Sequence, residues 1–109
     1  MNGVKYDQEK LRFSLVPWRE FIEVVKVLMH GSHKYEDHNW QRVPNARERY
    51  FNAMMRHVMA WWNDEVNDPE TKLNHLAHAI CCALFLMWAD KEGKHASKKP
   101  RVHMDKRTR

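Results

Sequence analysis

Cysteine, glycine and proline are scarce in this sequence, and no part of it is apolar over a long distance. The two cysteines, Cys81 and Cys82, are neighbours, so they cannot form the disulfide framework that small secreted proteins use. The longest apolar run, Ala79–Ala89, has eleven residues, and a transmembrane helix needs ~20. Charged residues near the amino terminus, such as Lys5 and Asp7, lead us to expect no signal peptide. The sequence therefore predicts a cytoplasmic protein.

Basic residues are distributed unevenly along the chain. Residues 91–109 contain eight Lys or Arg and two acids, whereas residues 1–90 contain eleven Lys or Arg and twelve acids. We therefore divide the chain into a nearly neutral domain, residues 1–93, and a basic, disordered tail, residues 94–109. The tail either is only a solvated segment or attracts nucleic acid weakly, in a salt-sensitive way. Because it has no aromatic residue for base stacking, the first interpretation is favoured.

Apolar residues recur at three- and four-residue spacing in three segments, which predicts three amphipathic helices and no strand. The first helix is expected to start at Pro17, where a missing N–H costs nothing, and to end at Gly31. Its apolar face comprises Trp18, Phe21, Ile22, Val25, Leu28 and Met29. Residues 31–44 lack a helical period and are interpreted as a loop. A loop of that length inside a compact domain is usually functional or disordered.

The second and third helices are expected to follow each other closely. Asn45 and Glu48 resemble a capping box at the start of the second, which should reach position 65 or 66. Asp68 and Pro69 resemble the N-cap and first residue of the third, which Gly93 ends. The core face of the third helix is expected to comprise Leu73, Leu76, Ala77, Ile80, Leu84 and Met87. The predicted fold class is all-α, a small helical bundle.

Acids and histidines are concentrated in residues 65–78, EVNDPETKLNHLAH. If the helix continues through the turn, Glu65 and Asp68 share one face and can bind a hard divalent cation such as Mg²⁺. Other interpretations stay open. Asp68 is alternatively only a helix cap, and His75 and His78 are alternatively a zinc pair or ordinary hydrogen-bonded residues.

Four blocks of the sequence together resemble a known family. They are VKYDQEKLRFSLVP at 4–17, HGSHKYEDHNW at 30–40, RYFNAMMRH at 49–57 and DEVNDPETKLNHLAHAICCALFL at 64–86. In this order they resemble the phage-associated dATP/dGTP diphosphohydrolases, the MazZ-like branch of the all-α, MazG-like nucleotide pyrophosphohydrolases. The resemblance covers about residues 3–88. It implies an enzyme that uses Mg²⁺ or Mn²⁺ to cleave purine deoxynucleoside triphosphates into a monophosphate and pyrophosphate. It also implies a homo-oligomer, a dimer or a tetramer, which the five Trp and seven Met support independently.

The resemblance implies where the metal and the catalytic groups lie. Glu65 and Asp68 have the form of the E-x-x-D pair that holds metal in the wider superfamily. Together with Glu70 they would be the catalytic residues, and Glu70 and His78 would be second-tier metal ligands or groups that orient water. The segment at 74–80 stands where the wider family has its second acidic pair, so the number of metals stays open.

The resemblance also implies substrate-binding residues, each with a side chain that suits a phosphate or a purine. They are Lys5, Lys34, Tyr35, Asn39, Trp40, Arg56, His57 and His75. Lys34 would meet a phosphate as a point charge, and Arg56 would grip one bidentately. Tyr35 or Trp40 would stack on the base, and Asn39 would read its edge. A core plug that anchors the loop is the alternative role for Trp40.

Two other functions stay open at this point. One is a helical nucleic-acid-binding or adaptor protein that acts through residues 94–109. The other is a nucleotide sensor that needs no metal and has lost catalysis.

Arg56 and His57 are alternatively a half-buried polar pair. The branch usually has glycine where this chain has Asp64, which either strengthens the metal site or lies in solvent.

Overall fold

The computed structural model describes residues 9–93, which form three α-helices. These are α1 (Trp18–Lys34), α2 (Ala46–Trp62) and α3 (His75–Lys91). Two short 3₁₀ helices are present at Phe13–Leu15 and Asn39–Arg42. The segments that connect the α-helices are the α1–α2 loop, residues 35–45, and the α2–α3 loop, residues 63–74. Residues 9–93 contain no strand, so the all-α prediction is confirmed for the part of the chain that the structure describes.

Some of the predicted features lie outside the described residues. Lys5 precedes them, and the basic segment 94–109 follows them. The division of the chain at position 93 therefore stays a prediction. Among the helices of residues 9–93, none combines the length and the apolar character that a membrane span requires.

The end of α1 differs from the prediction. The helix does not stop at Gly31 but continues to Lys34, and the N–H of Tyr35 donates to the Gly31 carbonyl at 3.0 Å. A glycine inside a helix costs only about 1 kcal/mol relative to alanine, which a further turn of backbone hydrogen bonds offsets. Pro17 is the N-cap and not the first helical residue, so α1 begins at Trp18, one residue later than predicted. Lys34 is therefore the last residue of α1, and Tyr35 is its C-cap.

The buried core cluster is small and joins α1 with α3. Val24 of α1, which is 1% exposed, packs with Ala77 and Cys81 of α3. The partly buried residues packed against them are Phe21, Val27, Leu28 and Phe85. Since α3 contacts both α1 and α2, it is the central helix.

The predicted core faces were partly wrong. On α1, Trp18, Ile22, Val25 and Met29 are exposed, and on α3, Ile80, Leu84 and Met87 are exposed. A helix that is apolar on nearly every side gives no single core face from its spacing, and α3 is such a helix. The residues that α3 does bury include the short side chains Ala77, Ala79, Cys81 and Cys82, because close helix packing leaves room only for small groups.

The end of α2 at Trp62 is earlier than predicted, because Asp64 takes a left-handed φ of 70°. The N–H of Asp64 donates to the Trp61 carbonyl, and the N–H of Glu65 donates to the Ala60 carbonyl, both at 3.0 Å. These two bonds form a Schellman motif. Glycine is favoured at this position since it has no Cβ. The structure thus gives a backbone reason for the glycine that the resemblance implies at position 64.

The predicted start of the third helix was also wrong, because α3 begins at His75 and not at Pro69. Asp68 and Pro69 instead begin a single helical turn, closed by the Lys72 N–H on the Asp68 carbonyl at 2.7 Å. A left-handed φ of 64° at Lys72 ends that turn. The loop then closes on itself, with the N–H of His75 donating to the Val66 carbonyl at 2.9 Å.

Replacing Asp64 with glycine is expected to raise the free energy of unfolding by about 1 kcal/mol, because glycine enters the left-handed region without a steric penalty. Asp64→Ala is expected to lower it, since alanine keeps the Cβ and loses the polar group that helps aspartate to adopt this conformation. Chemical denaturation of both variants beside the wild type measures the order. A glycine variant that is less stable than the alanine variant would contradict this account.

Candidate active site

A cleft of about 1110 Å³ lies between the carboxyl half of α1, the α1–α2 loop, α2, the α2–α3 loop and α3. This volume is at the upper end of the range for small-molecule sites, roughly 1,000 Å³. The predicted site residues that line it are Lys34, Tyr35, Asn39, Trp40, Arg56, His57, Asp68, Glu70 and His78. Glu65 and His75 do not line the cleft but contact each other next to its wall. The structure thus brings together most candidates within residues 9–93.

Histidines from two helices meet at one wall of the cleft. The Nδ1 atoms of His57 on α2 and His75 on α3 are 2.8 Å apart. The ring of His78 stacks on that of His57, with centroids 4.6 Å apart and planes within 11°. The Nε2 of His78 is 2.7 Å from the Thr71 hydroxyl oxygen. The three rings form a packed polar cluster.

His75 is held from behind by Glu65. The distance from His75 Nε2 to Glu65 Oε1 is 2.7 Å, so Nε2–H donates to the carboxylate. In the neutral ring the lone pair then belongs to Nδ1, the atom that faces His57. The side chain of Asn74 accepts from the Leu76 N–H at 2.7 Å and caps α3. This cap fixes the first turn of α3, and with it His75, which is 4% exposed.

Asp68 divides its two oxygens between the fold and the cluster. Its Oδ1 accepts from the N–H groups of Glu70 at 2.8 Å and Thr71 at 3.0 Å, while Oδ2 lies 3.9 Å from His57 Nδ1. Burial opposes ionisation, but the two backbone donors and the nearby His78 and His57 outweigh it and lower the pKa of Asp68. Asp68 therefore caps a turn and also presents a negative oxygen to the histidines.

The side chains that could hold a metal ion are His57, Asp68 and His75. Each offers one ligand atom, and these atoms lie within 4.8 Å of one another. No other such group of at least three His, Cys, Asp or Glu occurs within residues 9–93. Glu65 reaches this group through His75, and His78 directs its Nε2 to Thr71. Two imidazoles and one carboxylate make a donor set with more nitrogen than the sequence suggested.

Burial favours the uncharged form of His57 and His78, the two histidines of the cluster that line the cleft. Burial, followed by the nearby His78 and His75, lowers the pKa of His57 to about 4. Burial is also the largest cause that lowers the pKa of His78. Neutral imidazoles can bind a cation or accept a proton.

Some of the lysine and arginine side chains that line the cleft form ion pairs with glutamates, and others do not. Lys34 forms an ion pair with Glu70 at 3.0 Å, and Arg42 forms one with a glutamate of its own loop. Arg49 and Arg56 form no ion pair within residues 9–93. They are seven residues apart on α2, so they share one face of the helix. Two unpaired guanidinium groups along one wall can bind an oligophosphate bidentately.

The ring of Trp40 anchors the α1–α2 loop to α3. It stacks on Phe85, with centroids 4.6 Å apart and planes within 14°, and meets the edge of Trp88 at 5.1 Å. The Tyr50 hydroxyl donates to the Trp40 carbonyl at 3.0 Å. This geometry favours the loop-anchor alternative for Trp40. Tyr35, which is 63% exposed, presents the freer aromatic face.

The sequence reasoning missed three residues of this cleft. Arg49 could have been found from its seven-residue spacing to Arg56 on one helix. Thr71 contacts His78, and His30 of α1 has a buried Nε2 without a hydrogen-bond partner in residues 9–93. No sequence pattern distinguishes these last two, since their roles come from packing between separate segments.

The depressed pKa of His57 predicts how stability depends on pH in the metal-free protein. Because the folded pKa, about 4, lies below the ordinary value of ~6.5, protons bind the unfolded chain more readily. The contribution of His57 to the free energy of unfolding is therefore complete above about pH 6.5, and it is lost progressively as the pH falls toward 4. Urea unfolding in EDTA at several pH values measures this slope. His57→Gln should make the free energy of unfolding depend less on pH. His33→Gln, at an exposed position of α1, should leave the dependence unchanged. Equal slopes for the two variants would refute the assignment to His57.

Comparison with known proteins gives one family and one curated relative. The model of the family described as "dATP/dGTP diphosphohydrolase, N-terminal" matches residues 1–99. The "dATP/dGTP diphosphohydrolase" of Salmonella phage PMBT28 is 40% identical over 88 residues, which are 81% of this chain and 30% of that protein. The chain thus spans about a third of the length of this relative. No solved structure matches the chain.

Proposed function

The chain belongs to the dATP/dGTP diphosphohydrolase N-terminal family, and on that premise we propose that it hydrolyses purine deoxynucleoside triphosphates, dGTP or dATP, to the monophosphate and pyrophosphate. The name of the phage relative supports this substrate class. The reaction would take place in the cytoplasm of the infected bacterial host. The basic-tail alternative concerns residues 94–109, which lie outside the described part of the chain.

One observation carries the proposal: the cleft combines two arginines that have no ion-pair partner within residues 9–93 with the histidine cluster. Arg49, Arg56, His57 and Asp68 all line it. The two arginines suit the negative oxygens of a triphosphate. The neutral imidazoles and the ionised carboxylate suit the handling of a proton. A nucleotide phosphate held by the arginines would therefore lie beside groups that can activate water.

The chemistry is hydrolysis of a phosphoanhydride. The oxygen of water bonds to phosphorus, the bond between the α- and β-phosphates breaks, and its electron pair leaves with pyrophosphate. A neutral imidazole of the cluster, or Asp68, would accept the proton of the attacking water. Arg49 and Arg56 would stabilise the negative charge that develops on the phosphate oxygens.

The expected cofactor is Mg²⁺ or Mn²⁺, with Glu65 and Asp68 as its predicted ligands. The geometry supports a cation at Asp68 Oδ2 and the neighbouring imidazoles, with Glu65 acting through His75. When bound, a divalent cation supplies Lewis-acid polarisation of a phosphoryl oxygen.

The base and the outer phosphates would meet residues of α1 and the α1–α2 loop. Tyr35 would cover a purine face, and Asn39 would read its edge. Lys34 would exchange its ion pair with Glu70 for a phosphate oxygen. Glu70 would then be free to orient the attacking water.

Homo-oligomerisation is supported by apolar stripes that the described chain leaves exposed. On α2, Phe51, Met55, Met59 and Trp62 recur at four- and three-residue spacing and are 39–70% exposed. Exposed apolar stripes of this kind mark association surfaces. The wild-type chain is therefore proposed to form a dimer or a tetramer.

Hydrolysis is tested by measuring pyrophosphate release from each common NTP and dNTP, with Mg²⁺, with Mn²⁺ and with EDTA. We expect release from dGTP or dATP that EDTA abolishes. Arg56→Ala should lower kcat/KM by roughly 10- to 100-fold, the equivalent of a charged hydrogen bond. Arg56→Lys should recover only part of the loss, because lysine cannot bind bidentately.

The matched control is Arg19→Ala, since Arg19 lies on α1 outside the cleft and should be dispensable. Deleting residues 94–109 should also leave hydrolysis intact. Silence with every nucleotide and metal would refute the proposed activity. Activity that survives Arg56→Ala unchanged would refute the role of the α2 arginines.

The oligomer is tested by placing a charge on the α2 stripe. Met59→Lys should lower the molar mass in solution, because a buried ammonium opposes association, while the exposure of Met59 spares the fold of the subunit. Light scattering coupled to size exclusion measures the mass. Asp90→Lys, an exposed polar site on α3, serves as the control. A monomeric wild type at micromolar concentration would contradict the prediction.

A further inference from the structure

The short contact between His57 and His75 requires a proton or a cation between their Nδ1 atoms. Their Nδ1 atoms are 2.8 Å apart, and two lone pairs cannot face each other at that distance without repulsion. The Glu65 carboxylate holds the proton of His75 on Nε2, so His75 Nδ1 presents a lone pair. Either a proton on His57 Nδ1 or a cation must therefore lie between the rings.

The third group at this position favours a cation. Asp68 Oδ2 is 3.9 Å from His57 Nδ1, which is too far for a hydrogen bond. Metal–nitrogen and metal–oxygen bonds are each roughly 2.0–2.2 Å, so one ion can bridge donors up to about 4 Å apart. The donor separations of 2.8 Å and 3.9 Å both fall within that span.

The arrangement behind the ligands also has the form of a metal site. A histidine that binds a metal usually donates its other N–H to a carboxylate, which fixes the ring and its tautomer. Glu65 and His75 have this relation at 2.7 Å. Asp68 is likewise fixed, because its Oδ1 accepts two backbone N–H groups and leaves Oδ2 directed to the rings.

The chemistry of these donors decides the kind of ion. Imidazole nitrogen suits borderline first-row ions such as Fe²⁺, Co²⁺, Ni²⁺ and Zn²⁺, whereas Mg²⁺ takes oxygen ligands almost exclusively. Two imidazoles and one carboxylate are therefore a poor site for Mg²⁺.

We propose that His57, Asp68 and His75 form a resident site for a borderline first-row transition metal ion, with Glu65 as a positioning residue behind His75 and not a ligand. Mg²⁺, where the reaction needs it, arrives with the triphosphate. The use of this ion in hydrolysis rests on the proposed function, whereas its binding to the chain does not.

The test uses the full chain, stripped of metal with EDTA and kept free of nucleotide. Co²⁺ is titrated while its visible absorption bands are recorded, and Zn²⁺, Mn²⁺ and Mg²⁺ are compared by equilibrium dialysis. We expect about one Co²⁺ per chain and an affinity for Co²⁺ and Zn²⁺ at least ~100-fold higher than for Mg²⁺, as the donor set dictates.

The variants separate ligands from the positioning residue. His57→Ala should abolish the Co²⁺ bands. Asp68→Asn should weaken binding strongly while its Oδ1 still caps the loop, so its fold is preserved. Glu65→Gln should keep the stoichiometry and weaken affinity roughly 10- to 100-fold, as loss of such a carboxylate does. His33→Ala, an exposed histidine of α1 outside the cluster, should bind as the wild type does.

The outcomes are distinct from those of the hydrolysis assay. Three results would overturn the inference, even if dGTP were hydrolysed. The first is that Co²⁺ does not bind, and the second is that both His57→Ala and Asp68→Asn leave Co²⁺ binding unchanged. The third is that Mg²⁺ binds as tightly as Co²⁺. Co²⁺ binding that depends on His57 and Asp68 would support it, even if every nucleotide were inert and the proposed hydrolase were thereby refuted.

Discussion

The backbone hydrogen bonds that close the α2–α3 loop are the constraint on which the candidate site depends. The Schellman bonds after Trp62 reverse the chain, and the N–H of His75 returns it to Val66. Glu65 and Asp68 consequently approach the histidines from a loop that is folded onto the start of α3. Had α2 continued to position 65, both carboxylates would point along a helix face and Glu65 could not reach the far nitrogen of His75.

The cluster links stability to chemistry through shared atoms. Asp68 satisfies two backbone N–H groups with one oxygen and faces His57 with the other. Burial lowers the pKa of both His57 and His78, which lowers the free energy of unfolding at low pH and favours the uncharged rings at neutral pH. A buried polar group needs a partner, and here the partners are other functional groups. The fold and the site therefore cannot be altered independently at these positions.

The small core and the exposed apolar stripes have one physical origin. Within residues 9–93 the fully buried cluster is limited to Val24, Ala77 and Cys81 with four partly buried neighbours, which buries little apolar surface for a chain of this size. Exposed residues such as Val25, Met29 and Leu84 also line the cleft. A second copy of the chain that covered Val25, Met29 and Leu84 would therefore also cover part of the cleft.

The sequence by itself determined the all-α class, the position of α2 after Asn45 and the concentration of functional groups around residues 65–78, because helical spacing and residue chemistry are local properties. Family resemblance also indicated Arg56, His57 and His75. Only the tertiary structure decided that α3 starts at His75, that Glu65 contacts His75 and that Arg49 lines the cleft. Left-handed residues such as Asp64 and Lys72 redirect the chain without leaving a periodic signal, and contacts between distant segments follow from that redirection.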